Sequence, residues 1–238
     1  MITALLVSVN YSDYLEAILP LNTLQFDQII VLTIESDKEC QDLCSKYSNV
    51  KCLVFRDGIL KRNGKKFNKG AIINKGFEYL NRIRYSDWLV MTDSDIVFPE
   101  NFKELMLSKE KDTNILYGMF RAHCARLAQL ESKRHEITLG KHKPNIDIFM
   151  GYCQIFIYNA KKLEYSEDHN AGFSDILFLT NFSEEFKPPL ITNNNVHRDV
   201  FEGLLRINNF KLLSKDDFVI HLGRSEKNWT GRITPLFV

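Results

Sequence analysis

Asp93, Ser94 and Asp95 follow the apolar run Trp88-Leu89-Val90-Met91-Thr92 and precede a second one, Ile96-Val97-Phe98. On an extended backbone, residues two apart point to one face. Two carboxylates placed that way repel each other unless a cation sits between or beside them, and hard oxygen ligands favour Mn²⁺ or Mg²⁺. Asp-Ser-Asp is also good turn chemistry, yet a surface turn is rarely flanked by apolar runs on both sides. His221, in V-I-H-L-G, is the second candidate. A histidine in such a strand is more often a hydrogen-bonded core residue, but the residues after it change the weighting. Arg224, Lys227, Asn228, Trp229, Gly231 and Arg232 make a cationic loop suited to phosphate oxygens. A metal ligand beside such a clamp makes sense when the metal is itself bound to a diphosphate.

Two further groups carry charge in suggestive places. Lys69, Asn74 and Lys75 lie in F-N-K-G-A-I-I-N-K-G-F, at and just after an expected helix N-terminus. Positive dipole ends and lysines attract anions there, although a solvated helix face has the same composition. Asp175 stands in G-F-S-D-I-L-F among apolar neighbours. A buried carboxylate needs a partner or a proton-transfer role; capping the following helix is the competing explanation.

The elements that must position these residues alternate in the first hundred positions. Short β-branched runs at 4–9, 28–34 and 50–55 read as buried parallel strands, and 87–92 as a fourth running into Asp93. Helices are expected at 14–21, stopped near Pro20, at 38–47, and at 69–83, where Ile73, Phe77, Leu80 and Ile83 mark one face. A basic loop, K-R-N-G-K-K, follows the third strand. Alternation of this kind predicts βαβ units, an α/β fold with a mostly parallel Rossmann-like sheet flanked by helices. Ligands bind such sheets at the carboxyl ends of the strands, where Asn10, Glu35, Asp57 and Asp93 all fall. Beyond residue 100 the pattern is more mixed. Strands are expected at 115–120, 152–158 and 218–222 and a helix from Ser174 to Leu179.

Composition narrows the field. The 238 residues suit one domain, with about 1–100 as a nucleotide-type front half and about 101–238 as a more variable back half ending in a flexible loop. Thirty-one Lys+Arg against 30 Asp+Glu give a net charge of +1, so no general affinity for nucleic acid is expected. No run approaches the ~18 apolar residues of a membrane span, and the N-terminus lacks a basic leader. Five cysteines without framework or zinc spacing point to reduced thiols and a cytoplasmic protein. Oligomeric state is not evident.

Taken together, the residues resemble the GT-A class of nucleotide-sugar-dependent glycosyltransferases, close to small bacterial and large-DNA-virus members of the family-2-like type. The resemblance spans most of the chain: the first strand ending in V-N-Y, F-N-K-G-A-I-I-N-K-G-F, the strand with D-S-D, G-Y-C-Q-I-F-I-Y, G-F-S-D, and the C-terminal His with its basic loop. It implies that Asp95 ligates Mn²⁺ or Mg²⁺ directly, with Asp93 on ribose or metal-bound water and His221 completing the protein's share of the shell. It implies that Asn10, Glu35 and Asp57 bind the nucleoside and that Lys69 and Asn74 approach the base or diphosphate. Arg224, Lys227, Trp229 and Arg232 would close on the donor, UDP-sugar being the commonest in the class. Asp175 falls where inverting members keep their base, although the usual acidic pair is here Ser174-Asp175. The implied reaction is transfer of a hexosyl or deoxyhexosyl group to a hydroxyl of a glycan or small acceptor.

Competing readings remain at this level. A haloacid-dehalogenase-like phosphatase also places D-x-D after a strand, but on its first strand and before small residues. A nucleotidyltransferase making activated sugars normally carries a Gly-rich basic signature after the first strand, which Asn10-Tyr11-Ser12-Asp13 lacks. A non-catalytic sugar or nucleotide binder is the third. Between Arg121 and Lys143, six Lys/Arg stand against two acids, as expected of either an acceptor wall or a solvated helix.

Overall fold

The computed structural model describes residues 1–124, 151–159, 163–169, 171–185, 207–214 and 216–222. Four strands build the front of the main sheet: β1 (Ile2–Val7), β2 (Gln28–Ile34), β3 (Val50–Phe55) and β4 (Trp88–Asp93). They pair in parallel in the order β3-β2-β1-β4. The chain therefore walks outward from β1 through β2 to β3, then returns to the other side of β1. The carboxyl ends of β1 and β4 flank the crevice where the winding reverses, the usual ligand position in open α/β sheets.

Reversal of the winding puts helices on both faces. Alternation along each strand then sorts side chains between two cores. Ile2, Ala4, Leu6, Trp88 and Val90 pack with α1 (Ser12–Asn22) and α2 (Lys38–Cys44). Leu5, Leu89 and Met91 pack on the other face with Ile72, Ile73, Phe77 and Leu80 of α3 (Lys69–Arg82). Asp93 has the parity of Leu89 and Met91, so its side chain is directed to the α3 side. Near β1 the packing is tight: a Cβ at Gly76 would lie 3.0–3.2 Å from Leu32 and Leu5 side chains.

The chain beyond β4 departs most from expectation. β5 (Ile96–Val97) leaves the main sheet and joins β10 (Phe218–Leu222) and β7 (Phe120–Cys124) in a small second sheet, ordered β5-β10-β7. The buried Asn22 amide fixes β5, donating to Ile96 O and accepting from Phe98 N. The single strand expected at 115–120 is divided between the two sheets, as β6 (Leu116–Gly118) and β7. β8 (Cys153–Ile157) pairs antiparallel with β4 and β6, and β9 (Phe210–Leu212) closes the main sheet alongside β6. A short α4 (Phe102–Leu107) follows β5, and α5 (Ala171–Phe178) packs on the α3 side.

Two local expectations are corrected. Pro20 does not stop α1, which runs to Asn22; Pro lies in the last turn, and Thr23 N still bonds Leu19 O. The basic loop after β3 is a 3₁₀ helix, Asp57–Gly64, kinked at Arg62-Asn63. Among the described residues no helix is long and apolar enough to cross a membrane.

Candidate active site

β4 ends at Asp93, and the chain turns at Ser94-Asp95 before β5 begins. The extended geometry expected for D-S-D is thus replaced by a tight turn. A turn does not preserve the period of two, and the carboxylates diverge because β4 and β5 belong to different sheets. Asp93 Oδ1 accepts from Lys69 Nζ at 2.9 Å. Asp95 Oδ2 lies 3.2 Å from His221 Nε2, since β10 sets His221 opposite Ile96, and Leu222 N bonds Asp95 O. Asp95 Oδ1 is buried without a hydrogen-bond partner among the described residues.

Lys69 is buried at the start of α3, 5% exposed, and its ammonium also reaches Asp175 Oδ1 at 3.3 Å. Burial pushes the ammonium pKa down, but the charges of Asp175 and Asp93 outweigh it and hold Lys69 above its ordinary range. Asp175 is inside α5 rather than at its start, so it does not cap that helix. Burial raises its carboxyl pKa; Lys69 opposes the rise and the Asp93 charge adds to it, leaving Asp175 at about 6. One ammonium is shared between two acids, and the more deeply buried acid is held less completely.

Gly151 accounts for the close seat of Asp175. A Cβ there would lie 2.3 Å from Asp175 Oδ1, and the Gly151 backbone also hydrogen-bonds the carboxylate. A small cavity beneath is lined by Val7, Lys69, Thr92 and Gly151, among others. A larger groove of about 580 Å³ between β3 and α3, lined by residues such as Phe55, Lys75, Tyr79 and Arg82, contains none of these carboxylates.

Asn10, Glu35 and Asp57 are exposed and fall at or just beyond the carboxyl ends of β1, β2 and β3. Asn10 adopts φ +58°, in the left-handed region that Asn tolerates. Asp57 accepts from Ser36 N at 3.1 Å, and its bonds to the Ser36 hydroxyl and amide lower its pKa. Asn74 is turned elsewhere: its amide donates to Tyr165 O and Glu167 Oε1 and accepts from Tyr165 N. It clamps 163–169 onto α3, where Gly70 leaves room for Ser166 O. These three bonds use its polar atoms, contrary to the expected approach to a base or diphosphate. Arg224, Lys227, Trp229 and Arg232, with most of the basic 121–143 stretch, lie outside the described residues.

Asp37 and Gly151 were not singled out by sequence reasoning. Asp37 caps α2 through Cys40 N and accepts from Asn10 N at 2.7 Å and Thr33 Oγ1. The run E-S-D before a helix contained the capping signal. Nothing local to Gly151 signals its contact with a carboxylate more than 20 residues away.

No family model matches the sequence, and no curated protein does. The chain is similar at low identity to several solved structures. The galactosyltransferase LgtC, solved with donor and acceptor sugar analogs, aligns over 92% of this chain and 86% of its own, at TM-score 0.47 and 12% identity. Glucosyl-3-phosphoglycerate synthase from Mycobacterium tuberculosis, solved with Mn²⁺, UDP-glucose and glycerol 3-phosphate, aligns over 95% and 73%, at 0.47 and 14%. The 4-diphosphocytidyl-2C-methyl-D-erythritol synthase of Anaerococcus prevotii aligns over 89% and 86%, at 0.43 and 13%. At such scores and identities the likeness carries no argument about this chain.

Proposed function

We propose that this chain is a metal-dependent glycosyltransferase that moves a sugar from a nucleotide diphosphate sugar, UDP-sugar foremost, to an acceptor hydroxyl with inversion. The observation that carries the reading is the divided D-S-D turn. It presents one carboxylate to a buried acid and ammonium, and the other, with a buried oxygen that has no partner among the described residues, to an imidazole.

The proposed metal rests on the chemistry of two side chains. Among the described residues no three His, Cys, Asp or Glu side chains converge as a metal site; Asp95, with an oxygen that has no partner among the described residues, and the neighbouring His221 ring are of the oxygen and nitrogen types that Mn²⁺ or Mg²⁺ accepts. Asp95 and His221 would hold the ion, with Asp93 on its ribose side. Bound there, it would neutralise charge on the departing diphosphate.

The chain's own residues supply the rest. Asp175 is the general base, taking the acceptor hydroxyl's proton onto its carboxylate. A pKa of about 6 keeps it mostly ionised at neutral pH yet basic enough to accept. Asn10, Glu35 and Asp57 form an exposed polar rim for the nucleoside. Arg224, Lys227, Trp229 and Arg232 are assigned to the phosphates on their charge and stacking chemistry alone. The front half of the chain serves the donor and the back half the acceptor, with the basic 121–143 stretch as a wall for a charged glycan.

A thermal-shift panel of UDP-, GDP- and dTDP-sugars and CTP, each with and without Mn²⁺, tests this reading. A ligand of the folded state raises the midpoint by mass action. Stabilisation by a sugar nucleotide only with Mn²⁺ is expected. Stabilisation by CTP alone would instead favour nucleotidyl transfer, and no response to any sugar nucleotide would contradict the proposal.

A further inference from the structure

Away from the proposed site, packing of α2 on β3 gathers three cysteines. Cys40 and Cys44 lie one turn apart on the buried face of α2. Cys52 stands on β3 beside Val31 of β2. Alternation along β3 turns Cys52, with Val50, toward the core that holds Cys40 and Cys44, whereas Leu53 and Phe55 face the α3 side. The Cys44 thiol is hydrogen-bonded to both Cys40 and Cys52, and all three thiols are free. The two outer members differ. Cys40 is fully buried and its thiol donates to Ser8 O at 3.8 Å, whereas Cys52 is only half-buried. Cys44 is the last residue of α2, where a helix frays more readily than in its interior.

We propose that Cys44 and Cys52 are a modification site: a reversible disulfide pair oxidised by hydrogen peroxide, with Cys52 as the attacking thiol and Cys44 as the resolving one. The inference does not depend on the glycosyltransferase reading. The thiolate is the nucleophilic form of cysteine. The hydrogen bond from Cys44 holds the Cys52 thiol below its ordinary range, against burial and the Asp37 charge. Hydrogen bonds to Cys40 and Cys52, with burial, keep Cys44 protonated. The Cys52 sulfur attacks one peroxide oxygen, the O–O bond breaks, and a sulfenic acid and hydroxide form. The Cys44 sulfur then attacks the Cys52 sulfur. The S–O bond breaks, the S–S bond forms, and the Cys44 proton leaves with the departing hydroxyl as water. In sum, two thiols lose two hydrogens and the peroxide becomes two waters.

To test this, the reduced chain is treated with stoichiometric hydrogen peroxide, remaining thiols are blocked with N-ethylmaleimide, and tryptic peptides are mapped without reduction. Cleavage after Lys38, Lys46, Lys51 and Arg56 leaves Cys40 and Cys44 in one peptide and Cys52 in another, so the disulfide is read as a linked pair. Wild type is expected to lose two of its five thiols and yield this pair, split again by dithiothreitol. Fragmentation of the pair should place the bond on Cys44, and Cys40→Ala should behave alike. Cys44→Ala should give no linked pair and accumulate Cys52 sulfenic acid, trapped by dimedone. Cys52→Ala should consume peroxide several-fold more slowly than wild type. A bond placed on Cys40, a linked pair in Cys44→Ala, disulfides only between chains, or no linked pair in the native protein would overturn the proposal. Fragmentation of the wild-type pair decides the assignment even where an alanine variant does not fold.

Discussion

Asp93 and Asp95 are two residues apart and occupy opposite kinds of surroundings. Asp93 faces the α3 side of the main sheet, in a charge network completed by Lys69 and Asp175. Asp95 faces the small second sheet, beside His221, with one buried oxygen that has no partner among the described residues. The Asp93 network bonds within itself, whereas Asp95 keeps one oxygen without a partner among the described residues. A single turn thus separates two carboxylates into different surroundings.

The largest expected effect lies on the satisfied side. Asp175→Asn keeps the shape and removes the basicity, so kcat should fall by ~10²–10⁴ with UDP and Mn²⁺ affinity nearly intact. In wild type, activity should fall as pH drops through about 6, because protonated Asp175 cannot accept. The same shift has the opposite sign for stability. A buried acid with a raised pKa favours folding below its unfolded value and loses that contribution as pH rises through about 6. Steady-state pH profiles of wild type and Asp175→Asn read the first effect. Denaturant midpoints of both proteins between pH 4 and 7 read the second, the wild type losing ground to the Asn variant across the window. A near wild-type rate in the Asn variant would remove the distinction between the two carboxylate environments.

Gly151→Ala sharpens the comparison by moving Asp175 without changing its chemistry. A new Cβ at 2.3 Å must displace the carboxylate, and overpacking of this kind costs ~1–3 kcal/mol. Lower kcat, lower stability and unchanged Mn²⁺ affinity are expected. A loss of Mn²⁺ affinity equal to the loss of rate would show that the two sides of the turn are not independent. The smallest effect belongs to Asp37→Ala, measured by chemical denaturation and UDP titration. It removes the α2 cap, worth ~1 kcal/mol, and releases Asn10 N, so stability and UDP affinity should decline modestly while kcat holds. A collapse of kcat would move Asp37 into the chemistry.

Much of the satisfied region could be read from the chain. Nearly continuous apolar runs identify β1, β2 and β4, because strands covered on both faces need apolar residues at almost every position, while the edge strand β3 is half-exposed and carries Lys51. The apolar stripe of α3 identifies the helix that carries Lys69. Legibility ended where long-range packing decides. The second sheet depends on β5, only two residues long, and on pairing with β10 more than 120 residues later. For the same reason the D-S-D motif could be found, but the separation of its carboxylates could not. The roles of Asn74 and Gly151 depend on 163–169 and α5, segments with which they share no local pattern.

Release of UDP from UDP-sugars and transfer to acceptor hydroxyls, assayed with Mn²⁺ and with excess EDTA in wild type and Asp95→Ala, test the central claim most directly. The expected result is turnover by wild type with Mn²⁺, loss of that turnover in EDTA, and no Mn²⁺-restorable activity in Asp95→Ala. Full wild-type activity in EDTA, or an Asp95→Ala variant that responds to Mn²⁺ as the wild type does, would contradict the account.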